Sequence, residues 1–251
     1  MLRVMMHGCN GKMGQVITQI VENDKRMEIV AGVDSFTGVQ NSYPVFTSIM
    51  DCDIDVDVIV DFSNSEAVDA LLKYSVSKKV PLILCTTGMS VSQLELIDES
   101  TKEIAILKSA NMSLGINLLL KLLEGAAKAL GPAGYDIEIV ERHHNQKVDA
   151  PSGTALALAD SINSALNNEY EYVYDRSNVR KPRDSKEIGI SAVRAGNIVG
   201  DHEVIFGGID EVIELKHTAY SRNVFAKGAV EAANFLAGKP PGLYSMSDVI
   251  K

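Results

Sequence analysis

This sequence lacks the features that mark several classes of protein. Its longest apolar run, around 118–123, is interrupted by Lys121 and is far too short to cross a membrane. Cations are not in excess, since the formal net charge is -9, which argues against a nucleic-acid-binding protein. The three cysteines lack the spacing of a metal site and indicate reduced thiols. We therefore expect a cytoplasmic protein without membrane or nucleic-acid partners.

Predicted strands and helices alternate along the first part of the chain. Strands are predicted at 2–6, 27–33, 56–61, 81–85 and 104–107. Between them, a turn at 10–14 opens a helix that continues to residue 21, and further helices are predicted at 66–77 and 92–101. This alternation indicates an α/β fold in which helices cover both faces of a parallel sheet.

The pattern changes near 111–113, where we place a domain boundary. The remainder is predicted as a long apolar helix at 114–130, a strand at 135–141, a helix at 154–167, strands at 188–193, 201–207 and 210–217, and a final helix at 225–236. These elements indicate a second α/β domain with an open, mixed sheet. The final helix is a candidate to return to the first domain, although its spacing alone does not show this.

A glycine-rich turn joins the first strand to the first helix. It reads Gly8-Cys9-Asn10-Gly11-Lys12-Met13-Gly14. Glycine allows a tight turn, and the backbone N–H groups at the start of the helix suit a pyrophosphate. Asp34 follows 20 residues after Gly14, where an acid can bind ribose hydroxyls. The turn therefore predicts dinucleotide binding; the alternative is a tight strand–helix turn without a ligand.

Asp34 also bears on which dinucleotide is used. Its charge would repel a 2′-phosphate, and no arginine follows it, which favours NADH over NADPH. Lys12 is a cation that can still meet such a phosphate. We expect NADH to be preferred, with some use of NADPH.

Two further loops follow predicted strands at the edge where parallel sheets bind ligands. They read Cys85-Thr86-Thr87-Gly88 and Ser109-Ala110-Asn111-Met112. Asp61-Phe62-Ser63 is a weaker instance of the same kind. Each offers small or polar groups to a cofactor, although ordinary turns have the same composition.

The densest polar chemistry lies between Glu141 and Ala155. His143 and His144 can exchange protons near neutral pH, and Lys147 suits a carboxylate. Pro151-Ser152-Gly153-Thr154 then begins a helix, whose N–H groups can also bind an anion. Together they indicate a small dicarboxylate substrate.

Other interpretations of this segment remain open. Two histidines can bind a metal, but no carboxylate or cysteine completes a clear ligand set. The residue types of a Ser-His-Asp triad are present, but the sequence contains no nucleophile elbow. Cys85 is another candidate nucleophile. Glu141 and Asp149 are either surface residues or members of a polar network.

Over essentially its whole length the chain resembles the 4-hydroxy-tetrahydrodipicolinate reductases, also called dihydrodipicolinate reductases, of the bacterial and plant lysine pathway. The segments that carry the resemblance are 8–14, 61–63, 86–88, 110–117, 141–155, 194–203, 217–222 and 241–244. The resemblance implies a Rossmann nucleotide domain at 1–112 and 222–251 and a substrate-binding and tetramerisation domain at 113–221. It implies NAD(P)H-dependent reduction with loss of water, by a homotetramer.

The resemblance also implies roles for individual residues. His143 would be the proton donor or acceptor and Lys147 the proton donor. His144, Gly153 and Thr154 would bind the substrate carboxylates. The implied cofactor contacts are Gly8, Cys9, Asn10, Gly11, Lys12, Met13, Asp34, Cys85, Thr86, Thr87, Ser109, Ala110, Asn111 and Met112.

The sequence departs from the family pattern at three of these positions. Met112 stands where phenylalanine is usual, Cys85 where glycine is usual, and Cys9 where a smaller residue is usual. All three are expected in the cofactor shell. The rival interpretations are another nicotinamide-dependent reductase, such as a semialdehyde or homoserine dehydrogenase, and a catalytically silent dinucleotide sensor.

Overall fold

The computed structural model describes residues 1–109, 111–174 and 176–250. The chain divides into two compact units, the first comprising residues 1–114 together with those from 222 onward, and the second residues 115–221. None of the helices in the described ranges has both the length and the apolar character needed to span a bilayer.

The elements follow one another along the chain as strands and helices of moderate length. The strands are β1 (Leu2–His7), β2 (Met27–Val33), β3 (Val45–Phe46), β4 (Val58–Asp61), β5 (Leu82–Leu84), β6 (Ala105–Lys108), β7 (Asp136–His143), β8 (Glu171–Val173), β9 (Glu187–Arg194), β10 (Gly200–Gly207), β11 (Val212–Ala219) and β12 (Gly242–Tyr244). The helices are α1 (Lys12–Val21), α2 (Val68–Lys78), α3 (Val91–Ser100), α4 (Leu114–Leu130), α5 (Gly153–Ala165), α6 (Asn223–Leu236) and α7 (Met246–Val249), with 3-10 turns at Ile49–Asp51 and Ser65–Ala67.

The first unit is built on a seven-stranded sheet with the order β12-β6-β5-β4-β1-β2-β3. Every strand pair in it is parallel. The chain leaves β1 in one direction along the sheet and returns to its other side at β4, which is the topological switch point where ligands bind in such sheets. The expected Rossmann-type sheet is thereby confirmed.

Apolar cores lie on both faces of this sheet. Residues of α1 and α6 pack on one face, and residues of α2 and α3 pack on the other. The final helix α6 thus belongs to the first unit, as expected. Close packing requires glycine at Gly228, because a Cβ there would lie 1.7 Å from the carbonyl oxygen of Met112.

The second unit contains the mixed five-stranded sheet β11-β10-β7-β9-β8, which matches the predicted open mixed sheet. β7 is antiparallel to β10 and parallel to β9. Ile137 and Ile139 of β7 point into a core that α4 and α5 share with the sheet. Because side chains alternate along a strand, Glu141 and His143 lie on that same face.

The structure adds elements that the sequence did not predict. They are β3, β8, β12 and α7, all of two to four residues and too short for a periodic apolar pattern. β7 also extends to His143, whereas the prediction ended it at Glu141. The last residues of this strand are polar and resemble a loop, but they keep the alternation of a strand. His143 is therefore held by a sheet rather than by a flexible segment.

Candidate active site

The glycine-rich turn in the first unit leaves no room for side chains at two positions. Gly8 has a φ of +79°, and a Cβ there would lie 2.5 Å from the carbonyl oxygen of Phe62. A Cβ at Gly14 would lie 2.3 Å from the carbonyl oxygen of Gly8. Glycine at both positions therefore brings the start of α1 directly against the end of β1.

The N-terminus of α1 fits an anion. No described side chain caps it, its N-cap is Gly11, and its first turn contains no acidic residue. Lys12 is the first residue of the helix and is exposed. Free N–H groups, the helix dipole and a lysine together suit a pyrophosphate.

Asp34 lies at the end of β2, beside this turn. Its Oδ2 accepts a hydrogen bond from the Asn10 N–H at 2.9 Å, and its Oδ1 accepts one from the Phe36 N–H at 2.9 Å. A carboxylate has further lone pairs, so Asp34 can still accept a ribose hydroxyl. A cleft of about 410 Å³ adjoins it, lined in part by Gly8, Gly11, Asp34, Phe62 and Ser63.

An amide network that the sequence did not predict supports the glycine-rich turn. The Asn41 side chain donates to Asn10 Oδ1 at 2.7 Å, and Gln15 donates to Asn41 Oδ1 at 3.0 Å. Asn10 also donates to the carbonyl of Phe36. The segment that follows β2 is therefore tied to the turn. No sequence motif relates these amides, since they come from three separate segments.

The side chain of Cys9 lies in the core rather than at the cleft. It is fully buried, and a Cβ at Gly32 would lie 2.7 Å from its sulfur. Cys9 can therefore offer a cofactor only its backbone. Of the three departures from the family pattern, this one does not reach the cleft with its side chain.

A second cleft in the first unit, of about 510 Å³, collects the remaining predicted cofactor residues. Those lining it are Lys12, Met13, Cys85, Thr87, Ser109, Asn111 and Met112. Arg222 and Phe225 also line it and were not predicted as contacts, whereas Phe62 belongs to the loop 61–63 that was the weaker candidate. Arg222 and Phe225 come from the far end of the chain, at the start of α6. The predicted residue Ala110 lies outside the described residues.

The predicted residue Thr86 is buried and bonds to Asp61 instead of lining either cleft. Its hydroxyl donates to Asp61 Oδ2 at 2.6 Å, and the Ser63 hydroxyl donates to Oδ1 at 2.6 Å. His7 Nδ1 bonds to the same Oδ1 at 2.7 Å. Asp61 is fully buried at the end of β4 and joins the ends of β1, β4 and β5.

The second unit holds a different buried carboxylate, that of Glu141. Its Oε2 accepts hydrogen bonds from His143 Nδ1 at 2.6 Å and from Arg194 Nη1 at 2.7 Å. Its Oε1 accepts from Arg194 Nη2 at 2.7 Å and from the Ser152 N–H at 2.9 Å. Burial alone would raise the pKa of Glu141, but these donors outweigh burial and hold the pKa below its usual value.

His143 is held with a defined proton position. An ionised carboxylate can only accept hydrogen bonds, so His143 Nδ1 carries a proton and donates it in the hydrogen bond to Glu141. His143 Nε2 is then the ring nitrogen that can exchange a proton with a substrate. Burial lowers the pKa of His143; Glu141 opposes that shift, while Lys147 and Arg194 add to it. The ring is therefore neutral near pH 7.

His202 packs edge-on against His143, with ring centroids 5.1 Å apart. Its Nε2 lies 3.1 Å from the Ser152 hydroxyl. Burial, with a smaller contribution from His143, lowers the pKa of His202 to about 4. His202 is thus a neutral neighbour of His143 and a partner of the helix cap.

Lys147 and the start of α5 lie in the segment that follows β7. Lys147 Nζ bonds to Asp149 Oδ1 at 2.8 Å, and this pairing lowers the pKa of Asp149. The Ser152 hydroxyl caps α5 by accepting the Ala155 N–H at 3.2 Å. A Cβ at Gly153 would meet nothing within 4 Å, so there is space in front of the helix. Thr154 is half-buried on the first turn, and His144 is half-buried next to His143.

The geometry weighs against the alternative chemistries. Within the described ranges, no three His, Cys, Asp or Glu side chains converge as metal ligands would. The Ser152 hydroxyl is buried and engaged as a helix cap, which does not suit a nucleophile. Burial, reinforced by Asp61, raises the pKa of Cys85 well above its usual value, so its thiol stays protonated.

Sequence reasoning missed Arg194 as a member of this site. It faces the site because Arg194 of β9 is in register with His143 of β7, and partners in register share a face of the sheet. The proximity of Arg194 to His143 could be deduced only once β7 was known to pair with β9. Glu141 had been left as either a surface or a network residue, and the structure places it in the network.

Comparison with known proteins gives one consistent result. Residues 2–112 match the family model described as dihydrodipicolinate reductase, N-terminus, and residues 115–250 match the one described as dihydrodipicolinate reductase, C-terminus. A 4-hydroxy-tetrahydrodipicolinate reductase of Clostridium novyi is 51% identical over 251 residues, covering 100% of this chain and 99% of the relative. One of Caldanaerobacter subterraneus subsp. tengcongensis is 50% identical with the same coverage.

A solved structure is similar over the whole chain. It is the dipicolinate-bound dihydrodipicolinate reductase of Paenisporosarcina sp. TG-14, with a TM-score of 0.83 and 26% identity. The similarity covers 100% of both chains. Both units described above therefore have counterparts in one known protein.

Proposed function

Because this chain belongs to the dihydrodipicolinate reductase family, we propose that it reduces 4-hydroxy-tetrahydrodipicolinate to tetrahydrodipicolinate with NAD(P)H, in lysine and diaminopimelate biosynthesis. The reaction consumes one hydride and one proton and releases one water. The observation that carries the proposal is the group formed by His143, Lys147 and the start of α5. It offers a proton-exchanging nitrogen beside two sites for carboxylates.

The residues of the first unit would hold the cofactor. The start of α1 with Lys12 would take the pyrophosphate, and Asp34 would take the ribose hydroxyls. Cys85, Thr87, Ser109, Asn111 and Met112 would line the nicotinamide end, since they surround the second cleft. The nicotinamide supplies the hydride when it is bound.

The residues of the second unit would hold the substrate and move its proton. Lys147, His144 and the N–H groups of Gly153 and Thr154 would bind the two carboxylates. His143 would exchange the proton at Nε2, and Lys147 would act as a proton donor. A bound dicarboxylate would raise the pKa of His143, because negative charges nearby favour the imidazolium. Substrate binding would thus prepare His143 to donate.

We propose NADH as the preferred cofactor. The Asp34 carboxylate would repel a 2′-phosphate on the ribose, and residues 35–41 contain no cation. Lys12 leaves some use of NADPH. A ratio of kcat/KM values strongly favouring NADPH would contradict this preference.

We also propose a homotetramer, assembled through the sheet of the second unit. α4 and α5 pack on the face that bears Ile137 and Ile139. The opposite face bears apolar side chains at Val193, which is 41% exposed, and Val212, which is 58% exposed. Light scattering on the purified chain would measure the mass; a monomer at micromolar concentration would contradict the proposal.

The reaction is tested by a coupled assay. The purified chain receives pyruvate, aspartate semialdehyde and the upstream synthase, with NADH or NADPH in parallel, and loss of nicotinamide absorbance is followed. We expect oxidation that depends on the synthase. Cofactor binding without oxidation would favour the silent sensor, and oxidation of NADH by a semialdehyde alone would favour another reductase.

A further inference from the structure

We propose that Glu141 and Arg194 are positioning residues for this reduction: they fix the tautomer of His143 and hold the carboxylate-binding segment beside it. The inference rests on the proposed function, which assigns the proton transfer to His143. Neither residue needs to touch the substrate for this role.

The first observation is the set of donors that the described residues offer to Glu141. Its side chain is fully buried, and its two oxygens accept four hydrogen bonds, each between 2.6 and 2.9 Å. The donors are His143, Arg194 through two nitrogens, and the Ser152 backbone. A buried carboxylate with four donors has one arrangement, so His143 is held by Nδ1 with its Nε2 directed away from Glu141.

The second observation is how Arg194 connects the segment 143–152. Its Nη2 donates to the carbonyl oxygen of Asp149 at 2.5 Å, in addition to its bond with Glu141. Next to Arg194, the Ala195 N–H donates to the carbonyl of His143 at 2.8 Å. The end of β9 therefore holds both the start of this segment and the turn before α5. Lys147 lies between these two points.

The third observation is the charge balance. The guanidinium of Arg194 compensates the carboxylate of Glu141, so His143 is not required as the counter-ion. A neutral His143 can accept a proton at Nε2 and return it. If Glu141 had His143 as its sole partner, the imidazolium would be favoured and proton return would be harder.

The tautomer is tested first in the unmodified protein. In protein labelled with nitrogen-15 at histidine, long-range proton–nitrogen spectra above the pKa of His143 report which ring nitrogen carries the proton. His143→Asn identifies the signal by its loss. We expect a protonated Nδ1 and a bare Nε2. A protonated Nε2 would overturn the proposal, whether or not the enzyme turns over.

The kinetic test uses Glu141→Gln, which keeps the size of the side chain and removes its charge. We expect kcat to fall by about 100-fold or more, as when the carboxylate behind a catalytic histidine is neutralised, while the cofactor dissociation constant changes little. The His143 signal should also lose its fixed Nδ1 proton. Arg194→Lys keeps the charge but not the paired bonds and should lower kcat by about 10-fold.

Glu187→Gln is the matched control. Glu187 is also a buried carboxylate paired with an arginine, Arg176, at the other end of the same sheet. We expect its kcat within about 3-fold of the parent, because changes at separated sites with no shared partner have nearly independent effects. Equal losses of kcat in both variants would overturn the proposal, because general destabilisation would then explain them. If Glu141→Gln does not fold, Arg194→Lys and the spectra of the unmodified protein decide.

Discussion

In each unit a fully buried carboxylate bonds to a histidine, and the two pairs differ in their other partners. In the first unit, Asp61 bonds to His7 Nδ1 at 2.7 Å and to the hydroxyls of Ser63 and Thr86. In the second unit, Glu141 bonds to His143 Nδ1 at 2.6 Å and to both terminal nitrogens of Arg194. Both carboxylates are fully buried.

The difference indicates two uses of the same pair. The described side chains bonded to Asp61 are an imidazole and two hydroxyls, none of which is a permanent cation. Glu141 has a permanent cation in Arg194, which leaves His143 able to change its charge. We infer that the pair in the first unit holds the first cofactor cleft in shape and that the pair in the second unit serves proton transfer.

The largest effect is expected from replacing His143, the histidine of the pair in the second unit. His143→Asn should lower kcat by about 1,000-fold, within the range that general acid–base catalysis contributes. The dissociation constant of NADH should stay within about 2-fold, since His143 belongs to the second unit. Stopped-flow or steady-state assays give kcat, and nucleotide fluorescence gives the dissociation constant. If His143→Asn kept a tenth of the parental kcat, the His143–Glu141 pair would not serve proton transfer and would not differ in function from the His7–Asp61 pair.

The next effect concerns His202, the neutral neighbour of His143. Its pKa is about 4 in the folded protein, below the ordinary value of about 6.5, so the stability linked to its neutral form is present above pH 6.5 and is lost as the pH falls toward 4. The loss is at most about 3 kcal/mol in the free energy of unfolding. His202→Gln cannot titrate there and should show a smaller decrease.

Denaturant unfolding of both proteins at several pH values between 7 and 4 measures this difference. Equal slopes with pH would mean that His202 titrates normally in the folded state. A rise in parental stability on acidification, relative to the variant, would reverse the assigned direction of the shift.

A smaller effect, on NADH binding, is expected from replacing His7, the histidine of the pair in the first unit. His7→Ala removes the imidazole from Asp61 and should weaken NADH binding by about 10-fold, because His7 itself lines the first cleft and Asp61 positions Ser63 there. The KM for the dicarboxylate substrate should not change. Calorimetry measures the dissociation constant of NADH, and the coupled assay measures the KM.

Tyr43→Phe is the control for His7→Ala. It removes another buried hydrogen bond of the first unit, between Tyr43 and Thr18 at 2.8 Å, and neither residue lines the two cofactor clefts. Its NADH affinity should stay near that of the parent. If both variants lost the same affinity, the His7–Asp61 pair would have no specific link to the cofactor.

The sequence predicts the first unit in more detail than the second. Gly8 and Gly14 are needed for a tight turn between β1 and α1, and Asp34 follows at the end of the next strand, so the positions of all three in the fold could be predicted. The Asp61 network was less visible, although His7 and Asp61 each end a strand. Because β1 and β4 are parallel neighbours, the ends of these strands meet at one edge, but the strand order is not written in the sequence.

In the second unit the sequence indicates the residues that exchange protons and bind carboxylates, but not the residues that hold them in place. His143 and Lys147 stand out because they are concentrated in one segment. Arg194 lies 53 residues beyond Glu141 and reaches it only through the pairing of β7 with β9. Short strands such as β8 and β12 escaped prediction because neighbouring strands, and not a periodic pattern, stabilise them.

The smallest effect is expected at the exposed ion pair of the second unit. Lys147 bonds to Asp149, whose side chain is 56% exposed, in contrast to the fully buried Glu141. A substrate carboxylate would compete with Asp149 for the Lys147 ammonium. Asp149→Asn should therefore lower the KM for the dicarboxylate substrate by about 3-fold, within the small range of an exposed pair, and added salt should reduce the difference. The coupled assay at two ionic strengths measures it. Weaker binding would instead mean that Asp149 orients Lys147, and the exposed pair would then share the positioning role that we assign to the buried one.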